Sequence, residues 1–216
     1  LLGLGVVGSG TVKVLHDNRD AIAQKVGGEV RIKRIAVRSL DKPRLVEVDR
    51  SLLTDNPDEV LDDPDISIVC ELIGGLHPAR EFILRAIRNG KSVVTANKEL
   101  LAREGHEPMH LASEAGLDFM FEGSVGGGIP IIQAMKTSLA GNQITEVKGI
   151  VNGTTNYILT RMTEEGAEFE TVLKDAQAQG FAEADPTNDV DGYDAQYKIA
   201  ILSSIAFTSR VDPSHV

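Results

Sequence analysis

The chain has 216 residues, with 22 Lys and Arg against 32 Asp and Glu, for a formal charge of −10. At 42% hydrophobic and 25% charged residues it has the composition of a globular protein rather than a disordered one, and its acidity argues against DNA, RNA or an anionic membrane as partner. Its one cysteine, Cys70, permits neither an internal disulfide nor a cysteine-rich zinc site.

The cysteine usage fits a reducing compartment, and with no signal-peptide pattern and no bilayer-spanning apolar run the expected location is the cytoplasm. The length suits one complete domain and part of another. The opening Leu1-Leu2-Gly3-Leu4-Gly5 is an apolar stub that runs straight into glycines. It reads as the end of a strand whose first residues are missing. The trailing Arg210-Val211-Asp212-Pro213-Ser214-His215-Val216 likewise suggests a piece of a longer chain.

Short apolar runs at 1–2, 30–37, 66–73, 92–95 and 117–121 alternate with helical patterns at 11–26, 77–89 and 99–115. The clearest helix carries Ala79, Phe82, Ile83, Ala86 and Ile87 at three- and four-residue steps, with Pro78 in its first turn and Gly90 at its end. Ile66-Ser67-Ile68-Val69-Cys70 is nearly all apolar, as for a strand covered on both faces. This alternation predicts a doubly wound parallel sheet, a Rossmann-type α/β domain over residues 1–125. After Phe121 the rhythm changes. A glycine-rich turn at 123–130 leads to helices at 130–140, 155–165, 169–179 and 190–208 and a strand at 144–151. Residues 126–216 therefore read as a partial α+β domain for substrate and dimerisation.

Gly3-Leu4-Gly5-Val6-Val7-Gly8 is G-x-G-x-x-G between a strand stub and a helix, the context in which the pattern binds a dinucleotide. Gly3 serves the tight turn, Gly5 the approach to a pyrophosphate and Gly8 close packing of helix on strand; a glycine turn without ligand is the alternative. Leu4, Gly5, Val6, Val7 and Gly8 are thus candidate cofactor contacts. The second strand ends in Arg38-Ser39, with Lys42 close by, where an NAD-preferring site carries an acidic residue. A guanidinium and a hydroxyl there suit a 2′-phosphate, so NADP is accepted as well as NAD, unless this is simply a solvated basic loop.

Ligands of such sheets bind at the carboxyl ends of the strands. Gly74 follows the third long run, and Thr95 and Lys98 follow the fourth. Lys98 is either a surface lysine or a cation that holds a substrate oxygen. Farther on, Glu183, Asp185, Asp189, Asp191 and Asp194 precede Lys198. Asp194 and Lys198 share a helix face, as an exposed pair or as an acid–base lysine oriented by a carboxylate. Glu183 and Asp185 could serve calcium, but their spacing is not that of an EF-hand.

Six segments occur in the order found in the homoserine dehydrogenases. They are Gly3-Leu4-Gly5-Val6-Val7-Gly8, Thr95-Ala96-Asn97-Lys98, Glu122-Gly123-Ser124-Val125-Gly126-Gly127-Gly128-Ile129-Pro130, Asn152-Gly153-Thr154-Thr155-Asn156-Tyr157-Ile158, Gly180-Phe181-Ala182-Glu183-Ala184-Asp185-Pro186 and Asp189-Val190-Asp191-Gly192-Tyr193-Asp194-Ala195-Gln196-Tyr197-Lys198. The chain resembles that family over nearly its whole length, and the last three segments are far more specific than the first. The resemblance implies NAD(P)-dependent interconversion of L-aspartate 4-semialdehyde and L-homoserine, in threonine, methionine and isoleucine synthesis. It assigns Lys198 and Lys98 to the reacting oxygen, with Lys198 as proton donor and Lys98 polarising, and adds Asp194 to the catalytic group. It gives Gly180, Glu183, Asp194, Asp189 and Thr154 to the substrate, and Glu122 with the carbonyls of Val125, Gly127 and Ile129 to a monovalent cation, sodium.

The family's catalytic region continues beyond these segments, returning to the sheet with another glycine-rich stretch. Without those elements apolar surface is expected to lie uncovered, which a homodimer or higher homo-oligomer would hide. Two other functions share the cofactor domain: another NAD(P)-dependent amino-acid oxidoreductase, and a non-catalytic dinucleotide sensor. Two lysines at the expected crevice weigh against the sensor.

Overall fold

The computed structural model describes residues 1–216, which form two compact units: Leu1–Leu100 with Glu104–Phe121, and Leu101–Arg103 with Glu122–Val216. In the first unit the strands are β1 (Ile35–Ala36), β2 (Leu53–Thr54), β3 (Ile68–Glu71), β4 (Ser92–Thr95) and β5 (Phe119–Met120). β1 pairs with β2, β3 with β4 and β4 with β5, all in parallel. Leu2 bridges Ala36 on one side and Glu71 on the other, with Leu2 N–H donating to Cys70 O at 2.9 Å and Leu72 N–H to Leu2 O at 2.8 Å. The stub therefore occupies the centre of the sheet. The second and third strands in chain order lie to one side of it, and the fourth to sixth to the other. This is the doubly wound order, with its switch point beside Leu2.

The helices of this unit are α1 (Val6–Asp17), α2 (Arg19–Val26), α3 (Asp58–Leu61), α4 (Ala79–Arg88), α5 (Lys98–Glu104) and α6 (His106–Glu114). The pattern at 11–26 predicts one helix; there are two, because Asn18 turns back and donates from its backbone and side-chain amides to Val14 O. The pattern at 99–115 divides in the same way at Gly105. The short parallel strand at Leu53–Thr54 was not anticipated.

α4 buries Ala79, Ile83, Leu84, Ala86 and Ile87, each larger side chain contributing about 1.5–3 kcal/mol relative to exposure. Leu4, Val12, Ile35 and Val37 form a second cluster where α1 meets the sheet. Val69, Val93 and Phe119 share the buried face of β3–β5, whereas Ile68, Val94 and Met120 on the other face are exposed. The expectation that this strand is covered on both faces is thus corrected: one face is open.

The second unit contains α7 (Ile131–Gln133), which continues as a π turn over Ala134–Ser138, then α8 (Gly153–Glu165), α9 (Phe169–Ala178), α10 (Thr187–Val190) and α11 (Tyr193–Ala206). α8 and α9 enclose Ile158, Val172, Ala176 and Ala182. The strand expected at 144–151 does not form. Those residues have no ladder partner in the chain, and Thr145 to Ile150 are exposed. A strand without a partner leaves its amides and carbonyls to water and gains nothing over an irregular path.

Candidate functional site

Gly3, at φ +101°, turns the chain off the central strand, and a Cβ there would sit 2.8 Å from Leu72 O. A Cβ on Gly8 would lie 2.5 Å from Gly3 O, so α1 packs against the turn only because residue 8 has no side chain. Gly5 answers to neither demand: a Cβ on it would meet nothing within 4 Å. That opening lies at the N-terminus of α1, whose first amides have no intrahelical acceptor and no side-chain cap. Open space in front of free amides at a helix's positive end is the arrangement that takes a phosphate.

The opening belongs to a cleft of about 770 Å³. Leu2, Gly3, Leu4 and Gly5 line its middle, Arg38, Ser39, Lys42 and Arg44 one side, and Leu72, Ile73, Gly74 and Phe82 the other. Of the expected cofactor residues, Leu4, Gly5, Arg38, Ser39 and Gly74 line this cleft; Val6 and Val7 are exposed in the adjoining helix turn, and Gly8 is buried beneath it. Arg44, absent from the expectation, donates to Ser39 O and lends a further cation to the Arg38 side. The residues present fit a nicotinamide dinucleotide, and the basic side fits a phosphorylated ribose.

Thr95 does not line the cleft; it is buried, and its hydroxyl donates to Glu71 Oε2 at 2.7 Å. Glu71, which the sequence did not single out, is fully buried at the end of β3. Thr95 Oγ1 also accepts the Asn97 N–H at 3.0 Å, and Asn97 Oδ1 accepts the Leu100 N–H in the first turn of α5. This network fixes the start of the helix on which Lys98 stands.

The second unit assembles its own polar cluster. Lys198 Nζ donates to Asp194 Oδ2 at 2.5 Å and to Val151 O at 2.7 Å. The two side chains are 16% and 8% exposed, which excludes the surface-pair reading. Asn152 caps α8, its Oδ1 accepting the Thr155 N–H and hydroxyl, while its Nδ2 donates to Asp189 Oδ1 at 2.7 Å and Asp194 Oδ2 at 3.0 Å. Asn152 was not among the expected site residues, yet it joins two that were.

Thr154 Oγ1 donates to Phe181 O at 2.8 Å, tying α8 to the Gly180–Glu183 loop, where Gly180 is left-handed at φ +78°. Gln177 Nε2 donates to the carbonyls of Glu183 and Ala184, and Glu183 is exposed. Asp185 is exposed, and the Thr187 hydroxyl and amide hold its carboxyl below the usual range, so it serves the start of α10.

Both oxygens of Glu122 accept amides at the start of α7, from Ile132 at 2.9 Å and Gln133 at 2.8 Å. The Ile129 carbonyl accepts the Ile131 N–H. Glu122 and the carbonyls of Val125, Gly127 and Ile129 offer oxygen alone, the donor type that a hard cation takes. No cluster of three His, Cys, Asp or Glu side chains suited to a metal is present, and no helix is long and apolar enough to cross a membrane.

The chain is similar to known proteins in both halves. Residues 3–122 match the homoserine dehydrogenase NAD-binding domain and residues 130–216 the homoserine dehydrogenase domain that carries the family's name. Homoserine dehydrogenase of Synechocystis is 53% identical over 98% of this chain and 48% of its own length. The solved structure of a homoserine dehydrogenase from Thiobacillus denitrificans is 51% identical with a TM-score of 0.89, covering 96% of this chain and 48% of that one. A hyperthermophilic archaeal homoserine dehydrogenase solved in complex with NADPH is 26% identical with a TM-score of 0.81, over 97% of this chain and 69% of that one. The chain spans about half the length of the curated relatives it matches. With a doubly wound unit carrying an open glycine turn, a buried Asp–Lys pair beside an Asn cap, and family matches over residues 3–122 and 130–216, the chain belongs to the homoserine dehydrogenase family.

Proposed function

We propose that the chain takes part in the NAD(P)-dependent interconversion of L-aspartate 4-semialdehyde and L-homoserine, with NADP accepted through Arg38, Ser39, Lys42 and Arg44. The observation that carries this is the Lys198 ammonium, taken largely out of water and held at two acceptors by Asp194 and Val151. The bound dinucleotide supplies or takes up the hydride. As an aldehyde is reduced its oxygen gains negative charge, and Lys198 gives that oxygen a proton; in the reverse direction it takes the proton back. Asp194 keeps the ammonium in place, and Asn152 keeps Asp194 in place. Lys98, at the start of α5, is the second cation that the family resemblance assigns to the reacting oxygen.

Glu183, Asp189 and Asp194 offer carboxylates to a substrate ammonium, with Thr154 and Gly180 shaping the loop. Glu122 with the carbonyls of Val125, Gly127 and Ile129 would hold sodium and brace the 122–130 turn. The setting is the cytoplasm, and the assembly a homodimer or higher homo-oligomer, supported by the open sheet face at Ile68, Val94 and Met120.

The test is NADPH absorbance on addition of L-aspartate 4-semialdehyde. Oxidation matched by homoserine formation is expected. Binding of NADPH with no turnover of the semialdehyde contradicts the proposal and favours a sensor, and turnover only with an imine favours an amine oxidoreductase.

A further inference from the structure

Glu71 accepts three hydrogen bonds in full burial: Oε1 from the amides of Ile73 at 2.9 Å and Gly74 at 3.1 Å, and Oε2 from the Thr95 hydroxyl. Asn97, anchored on Thr95, donates from Nδ2 to Gly75 O at 2.6 Å. The ring closes on itself. The carboxylate holds the beginning of the turn 73–75 and Asn97 holds its end, with Gly74 and Gly75 both left-handed at φ +74° and +72°. Withdrawing a carboxylate from water is costly. What Glu71 offers in return, and an apolar residue cannot, is a rigid set of acceptors that imposes one backbone path on a glycine pair free to take many.

That path forms a wall of the cleft. Ile73 and Gly74 line it on the opposite side of Leu2 from Arg38 and Ser39. A doubly wound sheet takes one mononucleotide half on each side of its switch point, so the Arg38 side suits the adenosine half and the 73–75 turn the nicotinamide half. We infer that Glu71 is a positioning residue for the nicotinamide nucleotide. It sets the turn that half rests on and, through Thr95 and Asn97, registers that turn with the start of α5. This inference rests on the cofactor reading above and adds to it a division of labour within the cleft.

The experiment compares two ligands, NADPH and adenosine 2′,5′-bisphosphate, by calorimetric titration of the unaltered chain, Glu71→Leu and Glu71→Gln, with the melting temperature of each. Glu71→Leu is expected to bind NADPH about tenfold more weakly and the bisphosphate within about twofold of the unaltered chain. Glu71→Gln keeps Oε1 for both amides and turns its NH2 to Thr95 Oγ1, so it restores most of the NADPH affinity. A merely structural Glu71 would weaken both ligands alike or neither. Equal losses, no loss in Glu71→Leu, or a Gln variant as weak as the Leu variant overturns the inference. Should Glu71→Leu not fold, Thr95→Val, which opens the ring from the other side, must weaken NADPH and spare the bisphosphate; the opposite outcome is equally decisive. An unaltered chain that binds neither ligand overturns the cofactor reading and this inference with it, whereas binding by all variants alike overturns this inference alone.

Discussion

Gly5 and Gly8 lie three residues apart in one motif, yet the structure gives them different work. A methyl on Gly8 meets Gly3 O at 2.5 Å, and because that oxygen is backbone it cannot swing aside, so the helix must shift. Gly8→Ala is expected to destabilise the first unit by about 1–3 kcal/mol. A methyl on Gly5 meets no protein atom and its backbone is ordinary at φ −83°. Gly5→Ala should therefore leave stability within about 0.5 kcal/mol, while NADPH affinity falls because the methyl stands where the pyrophosphate approaches. Thermal melts and NADPH fluorescence titrations check both; a Gly5→Ala variant with unaltered affinity would contradict the phosphate cradle. This distinction was legible in the spacing of the glycines. Glu71 and Asn152 were not, because their partners are remote in sequence: Thr95 stands 24 residues from Glu71, and Asp194 stands 42 from Asn152. A carboxylate ending an apolar strand is a visible oddity, but only the fold says which donors it meets. The Asp194–Lys198 spacing gave the pair, and only burial decides between a solvated pair and an enclosed one.

At the scale of elements, periodicity located the helices and missed their breaks, since a single side-chain amide at Asn18 or a glycine at 105 ends a helix without disturbing the apolar rhythm around it. Strand character proved weaker information. Residues 144–151 are apolar enough for a strand, but a strand exists only with a neighbour, and none is present. The α8–α9 pair shows the opposite case, where charged groups add to an apolar seam. Arg161 donates to Glu165 at 2.6–3.0 Å, to Asp175 at 2.8 Å and to Tyr157 OH at 3.2 Å. The guanidinium holds the Glu165 carboxyl below its ordinary value of 4.5. A depressed carboxylate stabilises the fold above its unfolded value, and the effect is lost as pH falls through the folded value. Glu165 is half exposed, so the contribution is small. Arg161→Met is expected to lower the melting temperature by a few degrees at neutral pH, and by less once Glu165 is protonated; an equal decrement at both ends of a pH series would show that the arginine acts through packing alone.

For the molecule as a whole, the proposed function divides into two duties. The first unit, on that reading, would hold the cofactor through its glycine turn, basic rim and Glu71 ring. The second, on the function proposed above, would supply the proton through Lys198, held by Asp194 and, behind it, Asn152. Ile68, Val94 and Met120 on the sheet and Val147 and Ile150 in the irregular segment are exposed apolar side chains, and they take part in neither duty. If the duties are divided in this way, a lesion in the second must leave the first intact. The most direct test is Lys198→Ala, assayed side by side for NADPH affinity and for semialdehyde reduction. Turnover reduced by about a thousandfold or more with the NADPH dissociation constant unchanged is expected; retained turnover, or an equal loss of cofactor binding, would contradict this division of duties.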